Sequence, residues 1–193
     1  MSRALVFVGG LAAPGNEWPL TPIRRRAREQ GWRTKYFNER LAFGPLTTSA
    51  HRLVRLNEQL AETHEAIVVV GHSMGGLVAE HAAALGAPID AVVTICTPHQ
   101  GHFLSRFGPL PVMREMGTNS AYLKGVDAIP GPRPPMLVVT AARDRLVPKQ
   151  ATRPNRPHTV LEVPNVGHLG VIFDQSAADD MLEWAQAQVR ETA

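Results

Sequence analysis

The sequence holds a single cysteine, Cys96, so no disulfide can form within the chain and no zinc site can be assembled from several thiolates. Aromatic residues are 6% of the 193 residues, and none interrupts the densest basic run, which leaves that run without a stacking platform for nucleic-acid bases. No apolar run approaches the roughly 18 residues that cross a bilayer, so no transmembrane segment is expected. Net charge is a mild +3 with histidine neutral. The densest basic run, Arg24-Arg25-Arg26-Ala27-Arg28, follows Thr21-Pro22 at a predicted helix start. It reads as a solvated helix face, with a nucleic-acid or anionic-membrane patch as the rival reading. The length suits one domain over residues 1–193.

Met1-Ser2-Arg3 followed by Ala4 to Ala13 has the outline of a short signal peptide. Its charged part is thin, however, and Gly9 and Gly10 interrupt the apolar stretch. A buried strand from Ala4 to Val8 is the preferred reading, and with it a cytoplasmic location. Cys96 ends the apolar run that begins at Ala91 and reads as a small buried hydrophobe.

Short apolar, β-branched runs alternate with helical patterns along the chain. The runs are Ala4–Val8, Arg33–Phe37, Ala66–Val70, Ala91–Cys96, Met136–Ala141 and Thr159–Val163. Four of them are nearly continuous in apolar residues, as strands buried on both faces of a parallel sheet must be. The spacing predicts helices over Pro22–Gln30, Thr48–Thr63, Met74–Leu85 and Ala177–Val189, with a shorter one near Ser120–Lys124. Strands alternating with helices imply crossover units and a doubly wound α/β sheet of about six strands. The segment from His99 to Pro135 breaks this rhythm, and a connection of that length is more often functional than idle.

The central motif is Gly71-His72-Ser73-Met74-Gly75-Gly76, placed after the strand Ala66–Val70 and opening the helix Met74–Leu85. A serine on such a strand-to-helix turn is held in strained backbone geometry with its hydroxyl projecting from the C-terminal edge of the sheet. Glycines two residues either side relieve collisions across the turn. The helix start aims unpaired amides at developing negative charge. With Cys96-Thr97-Pro98-His99-Gln100-Gly101 after the next strand, the motif resembles the small bacterial lipases and esterases of the α/β-hydrolase superfamily. The resemblance runs over nearly the whole chain. It implies a reduced α/β-hydrolase core, a mostly parallel sheet flanked by helices, with little or no cap.

A serine needs a base to take its proton. Of eight histidines, His168 in Val166-Gly167-His168-Leu169-Gly170 lies between the last strand and the last helix, at the same sheet edge as Ser73. His72 adjoins Ser73 but should point elsewhere. Asp144, in the turn after the strand Met136–Ala141, is the candidate acid that fixes the base; Asp90, Asp127 and Asp174 are weaker rivals. The order Ser73…Asp144…His168 is that of α/β-hydrolases. The oxyanion hole needs two amides, expected from Met74 and, by likeness to the family's loop after the first strand, from Leu11. Gly9 stands where that family usually has histidine.

These residues imply ester cleavage through an acyl-enzyme on Ser73, with no cofactor and no metal. The partner is a small-molecule or lipid ester, not nucleic acid. Phe103, Leu104, Phe107, Leu110, Val112 and Met113 make the segment after His99 apolar; they could wall an acyl pocket, form a small lid or fill a satellite core. His99, Phe103, Leu104 and Leu169 are the pocket candidates, with a structural role as the other reading of His99. A thioesterase or acyltransferase would use the same residues, and a non-catalytic binding protein on a hydrolase scaffold is the reading of a different class.

Overall fold

The structure, a computed structural model, describes residues 2–10, 21–37, 44–102, 105, 108 and 110–191. Six strands form one sheet: β1 (Arg3–Val8), β2 (Arg33–Phe37), β3 (Ala66–His72), β4 (Ala91–Ile95), β5 (Met136–Ala141) and β6 (Thr159–Val163). Their order is β2-β1-β3-β4-β5-β6, and every neighbouring pair is parallel. Six helices cover it: α1 (Thr21–Glu29), α2 (Leu46–Ala61), α3 (Met74–Ala84), α4 (Pro111–Glu115), α5 (Ala121–Ala128) and α6 (Gln175–Glu191).

The period of two in each central strand divides its side chains between two cores. Leu5, Phe7, Val68, Val70, Val93, Ile95, Leu137 and Val139 face α1 and α6, where Ile23, Ala27, Met181, Leu182 and Ala185 meet them. Ala4, Val6, Val8, Ile67, Val69, Val92 and Val138 face the opposite layer, packed by Leu46 and Leu53 of α2 and Leu77 and Val78 of α3. Both faces are therefore covered, which is why the central strands read as unbroken apolar runs.

Local chemistry sets the helix ends. Gly31 and Gly86 take φ of +83° and +82°, and the bonds Trp32 N–H to Ala27 O and Ala87 N–H to Ala82 O close α1 and α3. The Ser120 hydroxyl accepts from Leu123 N–H at 3.2 Å and caps α5. The first amide of α2, on Leu46, donates to the Glu115 carboxylate of α4 at 2.8 Å.

The expected basic face is tied into the fold. Arg26 pairs with Asp179 of α6 and with Glu29, and Arg28 donates to the Thr34 hydroxyl. The described part of the long segment joins the second core, with Val112 and Met116 buried and Leu110 and Met113 half-buried against it. No helix among the described residues is long and apolar enough to cross a membrane.

Candidate active site

In a parallel sheet every strand ends at the same edge, so loops distant in sequence converge there. At the end of β3, Ser73 has φ 53° and ψ −122°, a conformation rarely taken by a residue with a Cβ. Its amide donates to Ile95 O of β4 at 2.7 Å, which ties the strained residue to the sheet. The glycines around it are steric necessities. A Cβ on Gly71 would lie 2.5 Å from Gly76 Cα, and one on Gly75 would strike the carbonyl oxygens of Val8 and Gly9. A Cβ on Gly76 would overlap the Thr97 side chain. The close approach of Gly75 to residues 8 and 9 also lays the loop after β1 against the start of α3.

The candidate acid and base come from the loops after β5 and β6, at the same edge of the sheet. Asp144 follows β5 and His168 follows β6, and the Arg143 N–H to Val166 O bond joins the two loops at 2.9 Å. His168 Nδ1–H donates to Asp144 Oδ2 at 2.7 Å. The other oxygen, Oδ1, accepts from Leu146 N–H at 2.8 Å and Val147 N–H at 2.9 Å. Burial works to raise the Asp144 carboxyl, but these hydrogen bonds, led by that of His168, outweigh it and hold the group below its ordinary value. An ionised acid accepting from Nδ1 leaves Nε2 as the free base nitrogen. No hydrogen bond joins the Ser73 hydroxyl to His168 among the described residues; without substrate such bonds are commonly slack and tighten on binding.

The rival aspartates are committed elsewhere. Asp90 accepts from Ile67 N–H at 2.7 Å, Asp127 from Asn155 at 2.8 Å, and Asp174 from Ala177 N–H at 2.9 Å as the cap of α6. Met74 opens α3 with its amide in the first turn, where no intrahelical acceptor exists. Leu11, Phe103, Leu104 and Phe107 lie outside the described residues. Leu169, next in sequence to His168, is 56% exposed, and Leu146, two residues after Asp144, is 60% exposed.

Of the two readings of His99, structural or pocket residue, its geometry is that of the first. Its side chain is 1% exposed, with Nδ1 donating to Glu80 at 2.6 Å and Nε2 against the Thr94 hydroxyl at 3.1 Å. Both ring nitrogens are occupied by protein, so it offers nothing to a substrate. Arg156 reaches the other oxygen of Glu80 at 3.2 Å and completes a buried ion network behind the elbow helix. Burial would raise the Glu80 carboxyl, but His99 and Arg156 bring it down to about 2. The network was legible in one respect: Glu80 is the only formally charged residue in the apolar helix Met-Gly-Gly-Leu-Val-Ala-Glu-His-Ala-Ala-Ala.

His72 departs from expectation. Its ring does not turn away but lies 4.9 Å from that of His168, and its Nε2–H donates to His168 O at 3.0 Å. Burial, aided by the nearby His168, pushes its imidazole down to about 4.

Cys96, Asp144 and His168 bring sulfur, oxygen and nitrogen ligand atoms within 4.8 Å of one another. Their chemistry does not suit a metal. The buried Cys96 thiol is pushed far up, first by burial and then by the Asp144 charge, and the facing atoms of Asp144 and His168 are bonded to each other.

Residues 45–107 match the PGAP1-like alpha/beta domain family. No curated protein matches the chain. Among solved structures, a metagenomic alpha/beta hydrolase enzyme from lagoon sediment at Mar Chica, Morocco, superposes with a TM-score of 0.73 at 15% identity, over 97% of this chain and 92% of that one. A carboxylesterase of the ammonia-oxidizing thaumarchaeon Nitrososphaera gargenis gives 0.69 at 16% identity, over 100% and 92%. Est1E of Butyrivibrio proteoclasticus, crystallised with ferulic acid, gives 0.66 at 17% identity, over 94% and 88%. The six parallel strands, their order and these superpositions establish the α/β-hydrolase fold for this chain.

Proposed function

We propose that the protein is a serine hydrolase that cleaves carboxylic esters through an acyl-enzyme on Ser73. The observation that carries this reading is the 2.7 Å bond between His168 Nδ1 and Asp144 Oδ2, at the same sheet edge as a serine at φ 53° on a strand-to-helix turn.

His168 Nε2 removes the hydroxyl proton as Ser73 Oγ attacks the ester carbonyl. Asp144 holds the ring in the tautomer that leaves Nε2 free and stabilises the imidazolium that forms. The Met74 amide, with a second donor from the loop after β1, receives the negative charge of the tetrahedral intermediate; each such donor lowers the barrier by roughly 3 kcal/mol. The imidazolium then protonates the departing alcohol. Water, activated by the same nitrogen, releases the acid and restores the serine.

The exposed Leu146 and Leu169, close in sequence to Asp144 and His168, favour an ester with an apolar acyl group. Hydrolysis of nitrophenyl esters of increasing chain length, wild type against Ser73→Ala, tests the reading. Turnover that rises with acyl length and vanishes in the variant is expected; turnover retained in Ser73→Ala would remove Ser73 from the mechanism.

A further inference from the structure

We propose that His72 is a positioning residue whose Nε2–H, by holding the His168 main-chain carbonyl, sets the base in register with the neighbouring Ser73. This rests on the reading of Ser73 and His168 as nucleophile and base.

The base loop is packed at its ends, where Val166 meets the core and Val171 and Ile172 are buried, but not at its tip. Gly167 and His168 are half-buried, Leu169 and Gly170 are exposed, and no large apolar side chain anchors the tip of the loop. Its backbone is fixed by hydrogen bonds instead: Arg143 N–H to Val166 O, Val171 N–H to Gly167 O and Ile172 N–H to Leu169 O. At His168 itself the bond comes from His72, at 3.0 Å.

His72 is well placed for this task. It is 4% exposed and is the last residue of β3, held on one side by the pairing of His72 with Ile95. A carbonyl can only accept, so Nε2 must carry the proton and the ring is a fixed donor. Gly10 leaves room on the other side of the ring, since a Cβ there would come within 3.3 Å of Nδ1. Because His72 and Ser73 are adjacent, the hydroxyl and the imidazole are referenced to one rigid strand end. A misplacement of about 1 Å between them costs on the order of 100-fold in rate.

The experiment compares His72→Phe, which keeps a ring and loses the donor, with His72→Gln, whose terminal amide restores an N–H at similar reach. Two readouts are taken: kcat and KM on a nitrophenyl ester, and hydrogen exchange at the Val171 and Ile172 amides. For H72F, kcat falls roughly 30- to 100-fold, KM changes less than about threefold, and the two amides exchange at least about tenfold faster. H72Q recovers most of both. Equal loss in H72F and H72Q, or unchanged exchange in H72F, overturns the proposal. If H72F does not fold, His72→Asn, polar but too short to reach the carbonyl, takes its place with the same expected outcomes. Wild-type protein that neither turns over ester nor takes up a fluorophosphonate would refute the hydrolase reading, while the exchange arm still decides whether His72 holds the loop.

Discussion

Asp144 meets His168 through one carboxylate oxygen and its own loop through the other, so a single side chain both shapes the turn and orients the imidazole. Asp144→Asn separates the two roles. The amide oxygen can still accept from Leu146 and Val147, while the NH2 group faces Nδ1 and selects the wrong tautomer. We expect kcat to fall on the order of 10³- to 10⁴-fold with little change in Tm. Ester turnover within tenfold of wild type would show that Asp144 is not the acid.

Ser73 carries backbone strain of about 1–3 kcal/mol, which glycine would relieve and alanine would not. Both Ser73→Ala and Ser73→Gly should lose fluorophosphonate labelling. Ser73→Gly should also melt at a higher temperature than Ser73→Ala. Calorimetry on the two variants checks the order, and a lower Tm for the glycine variant would argue against strain at the elbow.

Gly75 sits against main-chain atoms that cannot step aside. Gly75→Ala would drive a Cβ into the Val8 and Gly9 carbonyls, displacing either the start of α3 or the loop after β1. Loss of more than about 3 kcal/mol, or insoluble expression, is the expected result. Urea denaturation measures it, and a variant as stable as wild type would mean that this contact is looser than described.

The Glu80–His99–Arg156 network should be costly to break from one side. Glu80→Ala leaves Arg156 and His99 without their buried acceptor, a loss of about 3–5 kcal/mol. Glu80→Gln, which keeps hydrogen-bonding capacity, should lose less. Equal destabilisation of the two variants in chemical denaturation would remove the charge from the explanation.

His72 gives the fold an acid-sensitive component. Its imidazole sits at about 4 against an ordinary 6.5, so the folded chain resists a proton that the unfolded chain accepts. The stability it contributes is complete above pH 6.5 and is lost as pH falls toward 4, by roughly 3 kcal/mol. His168 and Asp144 face the same ring, so the comparison needs a control. Tm should drop less between pH 6.5 and 4 in His72→Gln than in wild type, whereas parallel curves would place the acid sensitivity elsewhere.

The sheet was legible because its central strands are apolar on both faces: Val68, Val69 and Val70 admit no other reading between a turn and a glycine. The elbow was legible because Gly71, Gly75 and Gly76 leave a pattern wherever backbone approaches backbone. The order of Ser73, Asp144 and His168 followed from the topology, since loops after parallel strands share an edge. What stayed hidden depends on distance in sequence. The choice between a structural and a pocket role for His99 stayed open because nothing local tells that Glu80, 19 residues earlier, takes its Nδ1. His72 was expected to diverge from the site because adjacency to Ser73 says nothing about a carbonyl 96 residues away. The short helix α4 was missed because five residues after a proline carry too little periodicity to register.

A wholly parallel sheet also imposes an order of events on a growing polypeptide. Each parallel strand can join only after a crossover connection has carried the chain back to the start of the sheet. The hydroxyl bearer emerges with the third strand, but the imidazole bearer follows the sixth. A ribosome-bound chain halted between them could pack much of its interior yet have no proton acceptor at the edge. On the proposed mechanism, Ser73 would have to wait for the sixth strand before it had a base.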